Sequence, residues 1–151
     1  MPFSNSAAAL QPKAGGAAKN AAALYASKIL VVDDSPTTRE LMRACIAAEG
    51  FANVATAADG GEALRVVEEQ TPDLVILDLA MPVLDGFQTC AALRERPATR
   101  DVPILVQSAT DKASDIARAF EVGANDILGK PFKPIELTRR MRVHLENRQM
   151  I

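Results

Sequence analysis

Five polar residues of this chain lie at or just beyond the ends of short apolar runs. They are Asp33, Asp34, Asp78, Ser108 and Lys130. Neighbouring carboxylates repel one another and raise each other's pKa unless a cation joins them, so a buried cluster of the three acids would require a metal ion. Ligands that are all oxygen favour Mg2+ over zinc or copper. The set therefore predicts a magnesium-dependent site, provided that the fold brings these residues together.

The three aspartates divide into metal ligands and a candidate nucleophile. Mg2+ keeps several waters and takes one or two carboxylates plus a phosphate, which fits Asp34 and Asp78 as direct ligands and Asp33 as a ligand through water. Beside the metal, Asp78 is a candidate nucleophile because a carboxylate can accept a phosphoryl group as an acyl phosphate. The expected chemistry is phosphoryl transfer to Asp78.

Charge on the three oxygens of a transferring phosphoryl group has to be neutralised. One oxygen would go to Mg2+, one to the Lys130 ammonium, and one to the Ser108 hydroxyl with the backbone N–H of Ala109. Each residue alone has an ordinary alternative: Asp33 and Asp34 would suit a helix entry, and Lys130 would suit a solvated charge before a turn. Their combination at strand ends favours the chemical interpretation.

The elements that must position these residues are strands and helices in alternation. Five apolar runs are typical of strands buried on both faces of a parallel sheet: 29–32, 54–57, 74–77, 103–106 and 127–128. The segments between and after them have helical periodicity, with predicted helices near 35–49, 59–70, 85–96, 112–122 and from 134 onward. Strict alternation predicts an α/β fold.

Convergence of the five polar residues follows from the handedness of such a fold. Crossovers between parallel strands are right-handed in nearly all cases, so every strand points the same way and all carboxyl ends lie at one edge. Ligands bind at that edge in open α/β sheets.

Composition limits the function classes. The 151 residues suit one domain, and 17 basic against 19 acidic residues give a net charge of −2, which disfavours direct binding of nucleic acid or membrane. Cys45 and Cys90 are in no metal-ligand spacing, and no apolar run approaches the roughly 20 residues needed to cross a bilayer. A cytoplasmic location is expected.

Residues 1–27 are rich in Ala, Gly, Ser and Asn and are predicted to be a flexible N-terminal tail, with the folded domain at 28–151.

The motifs resemble the receiver domain of response regulators, the CheY-like family of two-component signalling, from about Lys28 to Leu145. The matching residues are 29–35, 75–78, Met81, Pro82, Asp85, Gly86, Ser108, Ala109, Gly123, Ala124, Lys130, Pro131 and Phe132. The resemblance implies a flavodoxin-like, doubly wound sheet of order 2-1-3-4-5 with helices on both faces. It also implies that Asp78 is the phosphoacceptor, that Asp33 and Asp34 are metal acids, and that the Ala80 carbonyl is a further Mg2+ ligand. Ser108 and Lys130 become phosphate sensors, and the Lys130–Pro131 peptide bond is expected to be cis.

The resemblance implies partners as well. A sensor histidine kinase or histidine phosphotransfer protein would supply the phosphoryl group, and a downstream protein or output domain would bind the face of the fourth helix, fifth strand and fifth helix of the predicted fold. A homodimer is a further expectation. Such a domain is a phosphoacceptor rather than an enzyme, since it catalyses only its own phosphorylation and dephosphorylation. The chain would be either a stand-alone receiver or part of a longer regulator.

Three positions depart from the family pattern. Ile127 stands where many receivers have Tyr or Phe, so a rotating aromatic switch is not expected here. Ala80 and Thr110 are small and non-acidic at positions that flank the phosphoryl group and influence its hydrolysis.

Two rival functions remain as minor alternatives. A hydrolase with an aspartyl phosphate would need an acid where Ala80 stands, and a flavodoxin-like binding module would need a less acidic first loop.

Overall fold

The computed structural model describes Phe3 and residues 16–149, the side chains of residues 16–20 and Gln149 excepted. Its elements, in chain order, are α1 (Gly16–Tyr25), β1 (Lys28–Val32), α2 (Pro36–Ala48), β2 (Asn53–Ala57), α3 (Gly60–Glu69), β3 (Leu74–Asp78), α4 (Gly86–Glu95), β4 (Ile104–Ser108), α5 (Ala113–Glu121), β5 (Asp126–Gly129) and α6 (Pro134–Gln149). All five predicted strands and all five predicted helices are present.

The five strands form one parallel sheet of order β2-β1-β3-β4-β5, which confirms the predicted topology. β3 and β4 are buried along their whole length, as expected for strands covered on both faces. One apolar cluster lies against α3 and α4, and a second lies against α2 and α6. The order in which strands are added to the sheet reverses after β2, so the chain connections leave β1 and β3 in opposite directions. The carboxyl ends of these two strands therefore border a crevice.

Local signals account for several helix ends. The Ser35 hydroxyl accepts the Thr38 N–H, and Pro36 occupies the first turn of α2. Gly50 follows α2 with a φ of 112°, a conformation that glycine adopts without strain. Asp59 likewise accepts the Glu62 N–H at the start of α3. These ends agree with the sequence because capping depends on residues within one turn.

The amino-terminal segment differs from the expectation for residues 1–27. α1 covers Gly16–Tyr25, Leu24 is buried in the second apolar cluster, and the ring of Tyr25 meets that of Phe51 edge to face at 5.1 Å. A helix of this length is marginal alone and becomes stable through tertiary packing. Of the expected tail, residues 1, 2 and 4–15 lie outside the described residues, and Phe3 is buried. Among the described residues, no helix has the length and apolar character needed to cross a bilayer.

Candidate functional site

The sheet places all five predicted site residues at its carboxyl edge. Asp33 follows β1, Asp78 and Ser108 end β3 and β4, and Lys130 follows β5. Because Val32 pairs with Leu77, the residues after them, Asp33 and Asp78, stand at the same level on neighbouring strands. The parallel arrangement alone therefore brings the two acids together.

The three aspartates form one cluster. A carboxylate oxygen from each of Asp33, Asp34 and Asp78 lies within 4.8 Å of the others. Asp33 is 0% exposed and Asp78 is 1% exposed, whereas Asp34 faces solvent. Two of the acids are thus removed from water, and the third stands at the opening.

Asp33 is held by its own loop. Its Oδ1 accepts the Ser35 N–H at 2.9 Å, and its backbone carbonyl accepts a hydrogen bond from Arg39 Nη1 at 2.8 Å. The Arg39 contact is a feature that sequence reasoning missed. Its only signal in the sequence is a cation in the first turn of the helix that follows the acidic pair.

Lys130 reaches across the crevice from the loop after β5. Its Nζ lies 2.9 Å from Asp78 Oδ2 and 3.3 Å from Asp33 Oδ2. Apart from this ammonium, neither of the two oxygens has a hydrogen-bond partner among the described residues. The Lys130–Pro131 peptide bond is cis, as the family resemblance implies.

The charges in the crevice shift the pKa of two groups. Burial raises the pKa of Asp78, the hydrogen bond from Lys130 opposes this, and the charge of Asp33 raises it further. Burial works against the charged form of Lys130, but its contacts with Asp78 and Asp33 outweigh this and raise its pKa. The charged form of Lys130 is therefore favoured, whereas the charged form of Asp78 is disfavoured despite its contact with Lys130.

The same cluster fits a divalent cation. Three carboxylates face one ammonium, which leaves an excess of two negative charges in a partly buried crevice. All the protein donors are oxygen atoms, the set that Mg2+ prefers. The two oxygens that have Lys130 as their only partner also retain the capacity to bind further positive charge.

A cavity of about 320 Å³ lies next to Asp78. Its lining consists of Asp78, Leu79, Ala80, Phe87, Ser108, Ala109, Thr110, Asp115 and Lys130. Ser108 is buried and its Oγ accepts the Thr110 N–H at 3.1 Å, while Ala109 is exposed at the rim. The cavity thus brings the predicted nucleophile, hydroxyl, ammonium and backbone segment to one space. Thr110 lines the cavity as the resemblance implies, and Phe87 and Asp115 are further lining residues that the sequence did not assign to the site.

The loop after Asp78 folds back on itself beside the site. Ala80 donates its N–H to Asp78 Oδ1 at 3.3 Å, and Gly86 donates its N–H to the Leu79 carbonyl at 3.0 Å. Between them, Val83 has a φ of 68° and is 94% exposed. A β-branched residue rarely adopts this conformation, so the tight turn presents an apolar side chain to solvent at some cost in strain.

Two positions away from the crevice bear on the expected output surface. Ile127 is partly buried and pairs with Val106 of β4, so an aliphatic side chain occupies the usual aromatic position. Arg140 donates two hydrogen bonds to Asp126, and His144 lies 3.0 Å from the same carboxylate.

Comparison with known proteins identifies relatives along most of the chain. Residues 29–142 match the family model described as the response regulator receiver domain. The DNA-binding response regulator MtrA of Mycolicibacterium smegmatis is 41% identical over 122 residues, which cover 81% of this chain and 52% of that protein. The probable transcriptional regulator ycf27 of Porphyridium aerugineum is 43% identical over 115 residues, covering 76% of this chain and 46% of that protein. The chain spans about half the length of these curated relatives.

Solved structures agree with these relatives. The chemotaxis protein CheY4 of Vibrio cholerae superposes with a TM-score of 0.74 at 33% identity, covering 78% of this chain and 97% of that chain. The receiver domain of the sensor histidine kinase PA1611 of Pseudomonas aeruginosa has a TM-score of 0.74 at 33% identity, covering 80% of this chain and 98% of that chain. That structure has a magnesium ion coordinated in its active site cleft. Family match, sequence identity and fold agree: this chain belongs to the response regulator receiver domain family.

Proposed function

We propose that Asp78 is the phosphoacceptor of this receiver domain and that it takes a phosphoryl group from a histidine kinase or a histidine phosphotransfer protein. The observation that carries the proposal is the buried Asp78 carboxylate, which lies 2.9 Å from the Lys130 ammonium and lines the cavity that also contains Ser108. A carboxylate in this position has a cation beside it and room for an incoming group.

The reaction forms one bond and breaks one. An oxygen of the Asp78 carboxylate attacks the phosphorus of a phosphohistidine, the O–P bond forms, and the N–P bond breaks with its electron pair on the imidazole. Lys130 and the Ser108 hydroxyl then contact phosphoryl oxygens, together with the Ala109 N–H, and offset their charge. In this proposal the domain is a signalling phosphoacceptor that catalyses only its own phosphorylation and dephosphorylation.

Asp34 and Asp78 would bind Mg2+ directly, with Asp33 acting through water and the Ala80 carbonyl as a further ligand. The three clustered acids and their excess negative charge support this assignment. When bound, Mg2+ supplies neutralisation of the negative charge that accumulates during transfer. Arg39 contributes by holding the Asp33 carbonyl, which keeps the acidic loop close to the end of β1.

The remaining assignments concern partners and domain limits. A downstream protein, an output domain or a second copy would bind the face formed by α5, β5 and α6, which includes the exposed residues Lys112, Arg118 and Arg139. The MtrA relative is named as DNA-binding. This chain matches about half of that protein, and we propose that its own receiver part, residues 28–151, does not contact nucleic acid.

Intact-protein mass spectrometry after incubation with acetyl phosphate and Mg2+ tests the proposal. Wild-type protein should gain the mass of one phosphoryl group, and Asp78→Asn should gain none because the nucleophile is lost. Asp101→Asn, a change at an exposed acid, is the matched control and should label like wild type. Labelling of Asp78→Asn at the wild-type level would show that another residue is the acceptor.

A further inference from the structure

The loop between β4 and α5 contains a continuous chain of hydrogen bonds. The Thr110 N–H donates to Ser108 Oγ at 3.1 Å, and the Thr110 hydroxyl donates to Asp115 Oδ2 at 3.1 Å. The Lys112 N–H in turn donates to Thr110 Oγ1 at 3.1 Å. Thr110 therefore connects the hydroxyl beside the phosphoacceptor to the first turn of α5.

Ser108 can donate a hydrogen bond to a phosphoryl group and keep its hydrogen bond from Thr110. A serine hydroxyl has one proton to donate and two lone pairs that accept. The Thr110 N–H uses one lone pair, and the proton has no acceptor among the described residues. Ser108 also lines the cavity next to Asp78, so its free proton is available to a phosphoryl oxygen on that residue. Movement of Ser108 toward such an oxygen would carry the Thr110 N–H with it.

Helix α5 is lightly anchored, which makes it sensitive to its first turn. Ala119 is its only fully buried residue, and its N-cap residue, Lys112, makes no capping hydrogen bond through its side chain. Arg118 lies 4.1 Å above the ring of Phe87, a contact at the surface of the helix. An element with little buried apolar area opens and shifts at low cost. The Thr110–Asp115 bond ties the first turn of this helix to the loop after β4.

Ile127 of β5 offers no polar connection between the site and α5. Ile127 has no side-chain donor or acceptor and packs against the apolar cluster beside β4. A hydroxyl at this position could exchange hydrogen bonds between two arrangements, whereas an aliphatic side chain can only repack. The polar connection runs through Thr110 instead.

We infer that Thr110 and Asp115 are positioning residues that transmit the phosphorylation state of Asp78 from Ser108 to α5. The inference rests on the proposed function, since it requires a phosphoryl group at Asp78. A local change in hydrogen bonding at Ser108 would bias the position of α5, and with it one side of the proposed output face.

Hydrogen–deuterium exchange of residues 113–121 tests the link. Protein with Mg2+ is compared with and without beryllofluoride, which mimics a phosphoryl group on a carboxylate. Wild type should show a beryllofluoride-dependent change in exchange in α5. Thr110→Val keeps the N–H but removes the hydroxyl, and should reduce that change by at least roughly ten-fold, because a hydrogen bond to a carboxylate contributes more than a neutral one. Thr110→Ser restores the hydroxyl and should restore the change.

Asp115→Ala breaks the same bond from the other end and should match Thr110→Val. Asp111→Ala, which removes an exposed acid in the same loop, is the control and should behave as wild type. A full wild-type response in both Thr110→Val and Asp115→Ala would overturn the link while leaving Asp78 as the acceptor. Wild-type protein that binds no beryllofluoride would instead overturn the proposed function, and the link with it.

Discussion

Asp78 is a carboxylate that the fold buries beside another buried carboxylate, Asp33. The ammonium of Lys130 compensates only part of this cost, because burial and the charge of Asp33 together leave the pKa of Asp78 raised. The buried carboxylate of Asp78 therefore lowers the stability of the folded protein. This cost should be measurable as a change in the free energy of unfolding when Asp78 is replaced.

We expect Asp78→Asn to be more stable than wild type at pH 7 in metal-free buffer. At pH values just above 3.8, the ordinary pKa of aspartate, the folded protein still keeps the proton of Asp78, whereas the unfolded chain has released it. The free energy of unfolding thus falls as pH rises from that value through the raised folded pKa, and the full loss is present above it. The asparagine variant lacks this titration.

Urea unfolding at a series of pH values in EDTA measures the effect. The stability difference between Asp78→Asn and wild type should grow as pH rises through the folded pKa and shrink toward low pH. Added Mg2+ should narrow the difference at pH 7 by binding the folded wild type. A difference that is constant with pH would contradict the electrostatic explanation.

The hydrogen bonds that Arg39 and Thr110 make in the site escaped prediction, although Thr110 was expected to flank the phosphoryl group. Both contact the site through backbone groups: Arg39 donates to the Asp33 carbonyl, and the Thr110 N–H donates to Ser108. Residue type carries little information about such contacts, because every residue has a carbonyl and nearly every residue has an N–H. By contrast, Asp33, Asp34 and Asp78 were predictable as a cluster, because carboxylates that follow buried strands are costly to bury unless a positive charge pairs with them.

Among the elements, the turn between β3 and α4 has the tightest packing next to the site. A Cβ on Gly86 would lie 2.4 Å from the Asp78 carbonyl oxygen and 2.5 Å from Leu79 Cα. Both atoms belong to the backbone and cannot rotate away. The absence of a side chain at Gly86 thus allows α4 to begin directly against Asp78, where Asp85 and Gln88 form a capping box.

Gly86→Ala should lower the free energy of unfolding by about 2–3 kcal/mol, since overpacking a filled position costs this much when the backbone must shift. It should also reduce labelling of Asp78 by acetyl phosphate, because the shift moves the acceptor. The matched control is Gly129→Ala, whose Cβ would meet nothing within 4 Å and which should change stability by less than about 0.5 kcal/mol. Equal effects of the two substitutions, measured by urea unfolding, would refute the packing argument.

Helix ends and α1 show opposite degrees of predictability. The starts of α2, α3 and α4 have Ser35, Asp59 and Asp85 as caps, and each cap bonds to an N–H three residues away. Such contacts are local and therefore visible in the sequence. α1 has no comparable signal, and its packing against Phe51 and α6 depends on residues far along the chain.

At the scale of the whole molecule, core packing includes residues before the family match, which begins at residue 29. Leu24 is 6% exposed and belongs to the cluster beneath α2 and α6. Tyr25 adds its contact with Phe51, and the Arg142 guanidinium lies 6.0 Å from its ring. These contacts attach α1 at the edge opposite the site.

Leu24→Ala should lower the free energy of unfolding by about 2–4 kcal/mol through lost burial and the cavity left behind. Ala22→Ser, at an exposed position of the same helix, should cost about 0.5 kcal/mol from helix propensity alone. Thermal or urea unfolding of both variants measures the difference. If Leu24→Ala were as stable as Ala22→Ser, residues 1–27 would be a tail without a part in the fold.

Sequence periodicity and capping were sufficient to predict the α/β architecture and the edge at which Asp33, Asp78, Ser108 and Lys130 meet, whereas the sheet order came from the family resemblance. Once all strands are parallel, their carboxyl ends lie on one side, so no detailed coordinates are needed for that step. Only the folded chain revealed the Lys130 distances, the closeness of Gly86 to Asp78, the Thr110–Asp115 link and the burial of Leu24. Each of these depends on side-chain direction and on the packing of neighbouring segments, which hydrophobic pattern does not specify.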